Sequence, residues 1–337
     1  MQVNEQKTAA MAEEGAGANK ESAVENAAKT VARTPRRNKK RWYTNLDLYL
    51  MLLLPVAYVL IFHYAPMYGV IIAFKDYSAG RGIWASPWVG FKHFAAFFEQ
   101  PDFWVLVKNT LVVSIYSLIL YTIVPIVFGL LLFEVPNKAA KRVVQTVTYA
   151  PYFISGVIVC SMCYSFLDAD TGMLAQLFQA LGAERTQYMY STSAYYHVYV
   201  LSGLWQGLGW WSIIYVGTLS NVDPALHEAA IIDGANRFQR IIHINFPSIL
   251  PVATIQFIMS VGNLMSIGFE KSWLLMNEQN KPAAKIIATY VYEISLKSTL
   301  KQFSMATAVG LFNSFINIIL LIAANFLSKR VSETSLW

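Results

Sequence analysis

The chain has 337 residues, of which 55% are hydrophobic, 14% aromatic and only 14% charged, with a formal charge of +6. A soluble domain carries about 25% charged residues, so this composition excludes an ordinary soluble globular protein and fits a membrane protein. The positive charge does not point to nucleic acid, because it is placed beside long apolar runs.

In chain order, residues 1–41 are rich in Ala, Glu, Lys, Asn and Thr, with few large apolar side chains. They read as a disordered, basic cytoplasmic tail. Residues 42–337 form the membrane domain. A helix crossing a hydrocarbon core of roughly 30 Å needs about 20 mostly apolar residues, and about six windows of that length follow. They lie near 48–74, 105–133, 143–167, 198–219, 249–269 and 305–327. Lipid offers no partners to backbone N–H and C=O groups, so these runs must be helices and the fold class is all-α, a polytopic helical membrane protein. The first run exceeds the h-region of a cleaved signal peptide and reads as an uncleaved anchor.

Positive residues set the orientation. Arg33, Arg36, Arg37, Lys39, Lys40 and Arg41 precede the first span and hold the N-terminus in the cytoplasm. Alternation then puts Lys138, Lys141 and Arg142 inside, followed by Arg237 and Arg240, then Lys329 and Arg330, with the C-terminus cytoplasmic as well. The connection between the last two spans runs against this bias, since it is assigned outside yet carries Lys271, Lys281, Lys285, Lys297 and Lys301.

Catalytic motifs are missing. No G-x-x-x-x-G-K-[ST] phosphate loop, G-x-S-x-G elbow or Rossmann glycine pattern is found. His227-Glu228-Ala229-Ala230 begins like a zinc-protease motif, but Ile231 stands where the second histidine belongs. Cys160 and Cys163 form C-x-x-C inside an apolar run, where two small apolar side chains are expected and no disulfide or metal site is implied. The sequence thus implies no enzyme, no cofactor and no metal site in this chain. Glu134, Asp168, Glu270 and Lys271 sit at span ends. Only His63, expected to hydrogen-bond within the bundle, and Lys108, expected to snorkel, lie inside runs, so ion coupling is disfavoured. Energy for uphill transport would then come from a separate ATPase subunit docking on a cytoplasmic element.

The connection 221–247 suits that role. Asp223 is an N-cap candidate and Pro224 fits the first helical position, which starts a helix there. Ala225, Ala229 and Ala230 give it a small-residue surface, and Glu228 lies in its early turns. Gly234 ends it. A second amphipathic segment carries Phe238, Ile241 and Ile242 on one side and Arg237 and Arg240 on the other, and Pro247 is expected to close it before the next span. A helix, a glycine turn and a second helix can insert into a groove on another protein; a helix pair lying in the headgroup region has the same pattern.

Glu228-Ala229-Ala230, then Asp233-Gly234-Ala235 and Phe246-Pro247, resemble the EAA loop of ABC importer permeases. The stretch Trp88–Leu111, WVGFKHFAAFFEQPDFWVLVKNTL, is similar to the segment before the second span of sugar permeases of the maltose-permease type, and its rings suit a membrane interface. PVAYVLIFHYAPMYGVIIAFKDY, YAPYFIS and the terminal ETSLW resemble the group that imports complex or acidic oligosaccharides. The resemblance covers residues 42 onward. It implies a type I importer permease in a bacterial plasma membrane, with Glu228, Ala229, Ala230, Asp233, Gly234, Ala235 and Pro247 contacting the ATPase. It further implies a second permease, expected to be a different chain, an extracellular solute-binding protein and a carbohydrate substrate, with ATP and Mg bound by the ATPase. Trp205, Gln206, Trp210, Asn263 and Asn313 are candidates for the substrate path, with helix–helix hydrogen bonding as the competing reading. The alternative function is an ATP-independent secondary transporter or other polytopic membrane protein.

Overall fold

The computed structural model describes residues 46–182, 184 and 186–331, in two compact units that divide after Met67. The tail 1–41 with its basic cluster and the ETSLW terminus lie outside the described residues. The first unit is α1 (Leu46–Val59), continued by a π-helical turn, Leu60–Tyr64, and a last turn, Ala65–Met67. Leu50, Met51, Leu53 and Leu54 are exposed, as a lipid-facing surface requires. His63 is exposed and its ring lies edge-on to Tyr58, with centroids 5.8 Å apart.

The second unit opens with a 3₁₀ segment, Tyr68–Phe74, and α2 (Lys92–Phe98). The aromatic run predicted as an interfacial belt divides. Trp88, Phe91, Phe98 and Trp104 are exposed, whereas Phe97 and Phe103 are buried. Phe97 meets Phe103 edge to face at 5.1 Å and Phe312 at 5.6 Å, so these rings join a core with Leu106, Met305 and Val309. Edge-to-face geometry rewards such burial beyond area alone.

Two long helices follow, α3 (Phe103–Phe133) and, after an excursion, α7 (Thr192–Leu219). They run parallel: Asn109 meets Tyr196, Tyr121 packs on Trp211, and Gly129 lies against Tyr215. The chain must therefore return the length of α3 between them. It does so through α4 (Lys138–Tyr149), α5 (Gly156–Leu167) and α6 (Met173–Ala180). The single span predicted at 143–167 is instead a broken pair, bent by 102°. The cause is local. Ile154 and Ser155 are extended, Ser155 caps α5 by accepting from the Ile158 N–H, and α4 carries Lys138, Lys141, Arg142 and Gln145. Cys160 is buried and Cys163 half-buried on α5, both as free thiols.

Next come α8 (Pro224–Ile232), α9 (Arg237–Arg240) and α10 (Phe246–Gly262). Pro247 does not close a segment. A π turn at Ile241–Asn245 joins α9 to α10, so one helical run extends over Arg237–Gly262. The Phe246 N–H bonds back to the Ile241 carbonyl, and this wider turn resets the ladder just where proline lacks its donor. The fifth predicted span, 249–269, accordingly starts earlier and ends at Gly262. The connection after it is folded into α11 (Phe269–Leu275), α12 (Lys281–Ala284) and α13 (Ile287–Tyr292), followed by α14 (Phe303–Val331).

Among the described residues four helical runs are long and apolar enough to cross a membrane, or five with the bent pair taken as one. At 28 residues α7 is long enough to span, but its Gly, Ser, Gln and aromatic residues make it less apolar than those runs. The described residues are almost wholly helical, as the composition requires.

Candidate functional site

The 221–247 connection is a helical hairpin built by local chemistry. Asp223 accepts the Ala225 N–H at 2.9 Å and Pro224 occupies the first helical position of α8. At the other end Gly234 has φ of +78°, which side-chain-bearing residues rarely adopt. The Ala235 N–H donates to the Ala230 carbonyl at 2.8 Å and the Gly234 N–H to Ile231 at 3.0 Å, which is the Schellman arrangement. Asn236 then starts α9 with a reciprocal box: the Gln239 N–H donates to Asn236 Oδ1 at 2.9 Å, and the Asn236 N–H to Gln239 Oε1 at 2.8 Å. The N-x-x-Q spacing carries that signal in sequence, and sequence reasoning missed it.

Glu228, Ala229, Asp233, Gly234 and Pro247 are exposed, while Ala230 and Ala235 are half-buried. Ala230, Asp233, Gly234 and Ala235 line a concavity of about 290 Å³ with Gln239, Arg240, His243 and Ile244. Pro247 stands apart on α10.

The hairpin is anchored to the end of α3. Glu134 Oε1 accepts from Asn245 Nδ2 at 2.9 Å, and Glu134 Oε2 lies 3.8 Å from an Arg240 guanidinium nitrogen. Asn245 is fully buried, and the Glu134 and Arg240 side chains are 17% and 16% exposed. Sequence reasoning placed Glu134 at a span end and missed this anchor, because its partner lies 111 residues away.

At about 1.5 Å per residue, Arg237–Gly262 is a strut on the order of 40 Å long. Its far end reaches a polar cavity of about 640 Å³, to which α3 contributes Ser114, Ser117, Tyr121 and Thr122. Gln206 and Trp211 come from α7, Ser260 from α10, and Asn263 and Lys271 from beyond it. A second cavity of about 650 Å³ shares Tyr121, Thr122, Trp211 and Ser260, and adds Trp210 and Gln256. Of the predicted path residues, Gln206 and Asn263 thus line the first cavity and Trp210 the second. The Trp210 ring stacks on Tyr152 at 4.4 Å, and Tyr152 itself lines the first.

Trp205 and Asn313 are elsewhere. Trp205 lines an apolar groove with Met162, Phe166 and Leu201. Asn313 Nδ2 donates to the Met265 carbonyl at 2.9 Å, and Asn317 accepts the Met265 N–H at 2.9 Å, tying the turn after α10 to α14. Gln206 itself donates to the Ile154 carbonyl at 2.7 Å, bracing the bend between α4 and α5.

The sequence places Lys271 at a span end and among the lysines of the last outer connection. On α11, outside the candidate spans, its Nζ donates to the Tyr199 carbonyl at 2.7 Å and sits 4.9 Å from the Tyr199 ring centroid. Burial pushes its ammonium down to about 8, so it still carries its proton at neutral pH.

A family model described as "binding-protein-dependent transport system inner membrane component" matches residues 110–333. The chain is 41% identical over 290 residues to the polygalacturonan/rhamnogalacturonan transport system permease protein YteP of Bacillus subtilis (strain 168), covering 86% of this chain and 90% of that one. It is also similar to a chain from the crystal structure of a bacterial ABC transporter involved in the import of the acidic polysaccharide alginate. There the TM-score is 0.78 at 33% identity, over 86% of this chain and 97% of that chain. A second structure of a bacterial alginate ABC transporter, in complex with an alginate pentasaccharide-bound periplasmic protein, gives a TM-score of 0.79 at 33% identity over 87% and 98%. With its helical spans, its exposed hairpin and its polar cavity, the chain belongs to the binding-protein-dependent inner membrane permeases, which are transport subunits and not enzymes.

Proposed function

We propose that this chain is one of two permease subunits of an ATP-driven importer of oligosaccharides, coupled to a separate ATPase through the hairpin 221–247. The observation that carries this reading is the hairpin itself: an exposed E-A-A helix ended by a glycine in the left-handed region. A helix lying in the headgroups needs no such anchor, whereas a lever does. The Glu134–Asn245–Arg240 cluster ties it to α3, and the Arg237–Gly262 run continues from it to the cavity.

In this mechanism the ATPase grips α8, with Glu228 making polar contacts, the alanines permitting close approach and Gly234 fixing the angle to α9. Closure of two ATPase subunits on ATP displaces the hairpin. The displacement passes to α3 through Glu134 and along α10, and both helices line the cavity. Opening to one side and then the other is a rigid-body, two-state change. ATP and Mg are held by the ATPase. A binding protein delivers the saccharide from outside, and a second permease closes the open side of the cavity. Six crossings, with both termini and the hairpin in the cytoplasm, fit the Lys and Arg of the tail, of 138–142 and of the hairpin, while the lysines of the last outer connection run against the bias. The saccharide class is supported by the similarity to a polygalacturonan/rhamnogalacturonan permease and to the chain of an alginate transporter.

Crosslinking tests the contact. With Ala229→Cys, a cysteine-specific crosslinker in the assembled complex should join this chain to the ATPase, and nucleotide should change the yield. Absence of any ATPase adduct, with the thiol demonstrably reactive, would exclude the docking role.

A further inference from the structure

The lysines that oppose the usual charge bias of an outer connection are mostly accounted for. Lys285 pairs with Asp102 at 2.5 Å, Lys281 with Glu278 at 3.9 Å, and Lys297 lies 4.6 Å from the Trp273 ring centroid. Lys271 differs. Among the described residues no aspartate or glutamate forms an ion pair with it, and its neighbours are a carbonyl and a ring from Tyr199. It also lines the polar cavity beside Gln206 and Asn263.

An ammonium in that position is costly to keep without a purpose, because a desolvated charge without a counter-ion has lost water and gained only partial compensation. The chain provides for it deliberately. A Cβ at position 203 on α7 would collide with the Tyr121 hydroxyl and stand 2.9 Å from Lys271 Nζ, so the glycine there leaves the lysine its place. One carbonyl and one ring face hold the ammonium while leaving it donors to spare, since an ammonium has three.

We infer that Lys271 is the anion-recognising contact of this cavity, forming an ion pair with the carboxylate of a hexuronate-type saccharide as it passes. The inference deepens the importer reading and rests on it. Other lining groups, Gln206, Asn263, Ser260 and Thr122 among them, are neutral donors and acceptors suited to hydroxyls, and Trp211 offers an apolar face for a sugar ring. A neutral saccharide would leave the cation unpaired; an acidic one completes it.

The experiment uses the whole transporter in vesicles with its binding protein, and measures ATP-dependent uptake of a hexuronate oligosaccharide beside a neutral one. In Lys271→Gln, hexuronate uptake should fall at least tenfold, while ATP hydrolysis stimulated by the loaded binding protein stays within twofold. Lys271→Arg should restore at least half the uptake. Unchanged hexuronate uptake in Lys271→Gln would overturn the inference, as would joint loss of uptake and stimulated hydrolysis that arginine does not rescue. Wild-type uptake of the neutral sugar alone would overturn it too and leave the importer reading standing. ATP-dependent uptake of neither sugar would overturn both.

Discussion

At the level of single residues, position 234 is the most constrained in the hairpin. Its φ of +78° is open to glycine, and a branched side chain there costs about 1–2 kcal/mol. Gly234→Leu should therefore change the hairpin angle while leaving the spans intact, read as normal insertion with reduced uptake. Glu134 makes a separate prediction. Glu134→Ala strips Asn245 of its acceptor and Arg240 of its anion, a loss of about 1–3 kcal/mol for groups this buried. Proteolysis at 221–247 should accelerate, and Asn245→Ala in the same background should add little, because both changes break one contact. Lys271 predicts a pH dependence. Its proton is held below about 8 and lost above it. The titratable groups that face it are Tyr199 and Tyr121, with Cys160 and Cys163 more distant and Glu270 exposed beside it. Hexuronate uptake should fall between pH 7 and 9, and Lys271→Arg should flatten that fall. Asp223, Pro224 and Gly234 were legible in the sequence because capping is decided within a few residues. Glu134 and Lys271 were not, since each takes its meaning from a segment far along the chain.

Among the elements, the Arg237–Gly262 run carries the argument for coupling. A continuous helix transmits a displacement; a hinge absorbs it. The π turn at Ile241–Asn245 is the weak point, having a widened ladder just before Pro247. Ile242→Gly with Ile244→Gly softens that turn at roughly 1 kcal/mol per glycine. The expected outcome is ATP hydrolysis that continues while uptake declines; full uptake would mean that force does not travel this way. Helical spans were readable from apolar length alone. The break at Ile154 and Ser155 was not, because Val143–Leu167 is apolar throughout its later part and the 102° bend depends on Pro151, the Ser155 cap and the Gln206 bond to the Ile154 carbonyl. The fifth span was misplaced for the opposite reason. Pro247 reads as a terminator, whereas the π turn just before it lets the helix continue from Arg237 to Gly262.

At the scale of the molecule, the parallel pairing of α3 and α7 frames the cavity, and α10 joins that cavity to the hairpin. Asn263 and Ser260 remain exposed on this chain although they line it, which is the arrangement expected when a second permease completes the wall. The proposed coupling of ATP hydrolysis to the bundle runs through the E-A-A hairpin. It is tested most directly by measuring ATP-dependent oligosaccharide uptake in vesicles holding the whole transporter with Glu228→Lys and Gly234→Leu combined. Normal membrane insertion with uptake reduced to background is the expected result; uptake at the wild-type rate would refute the coupling role.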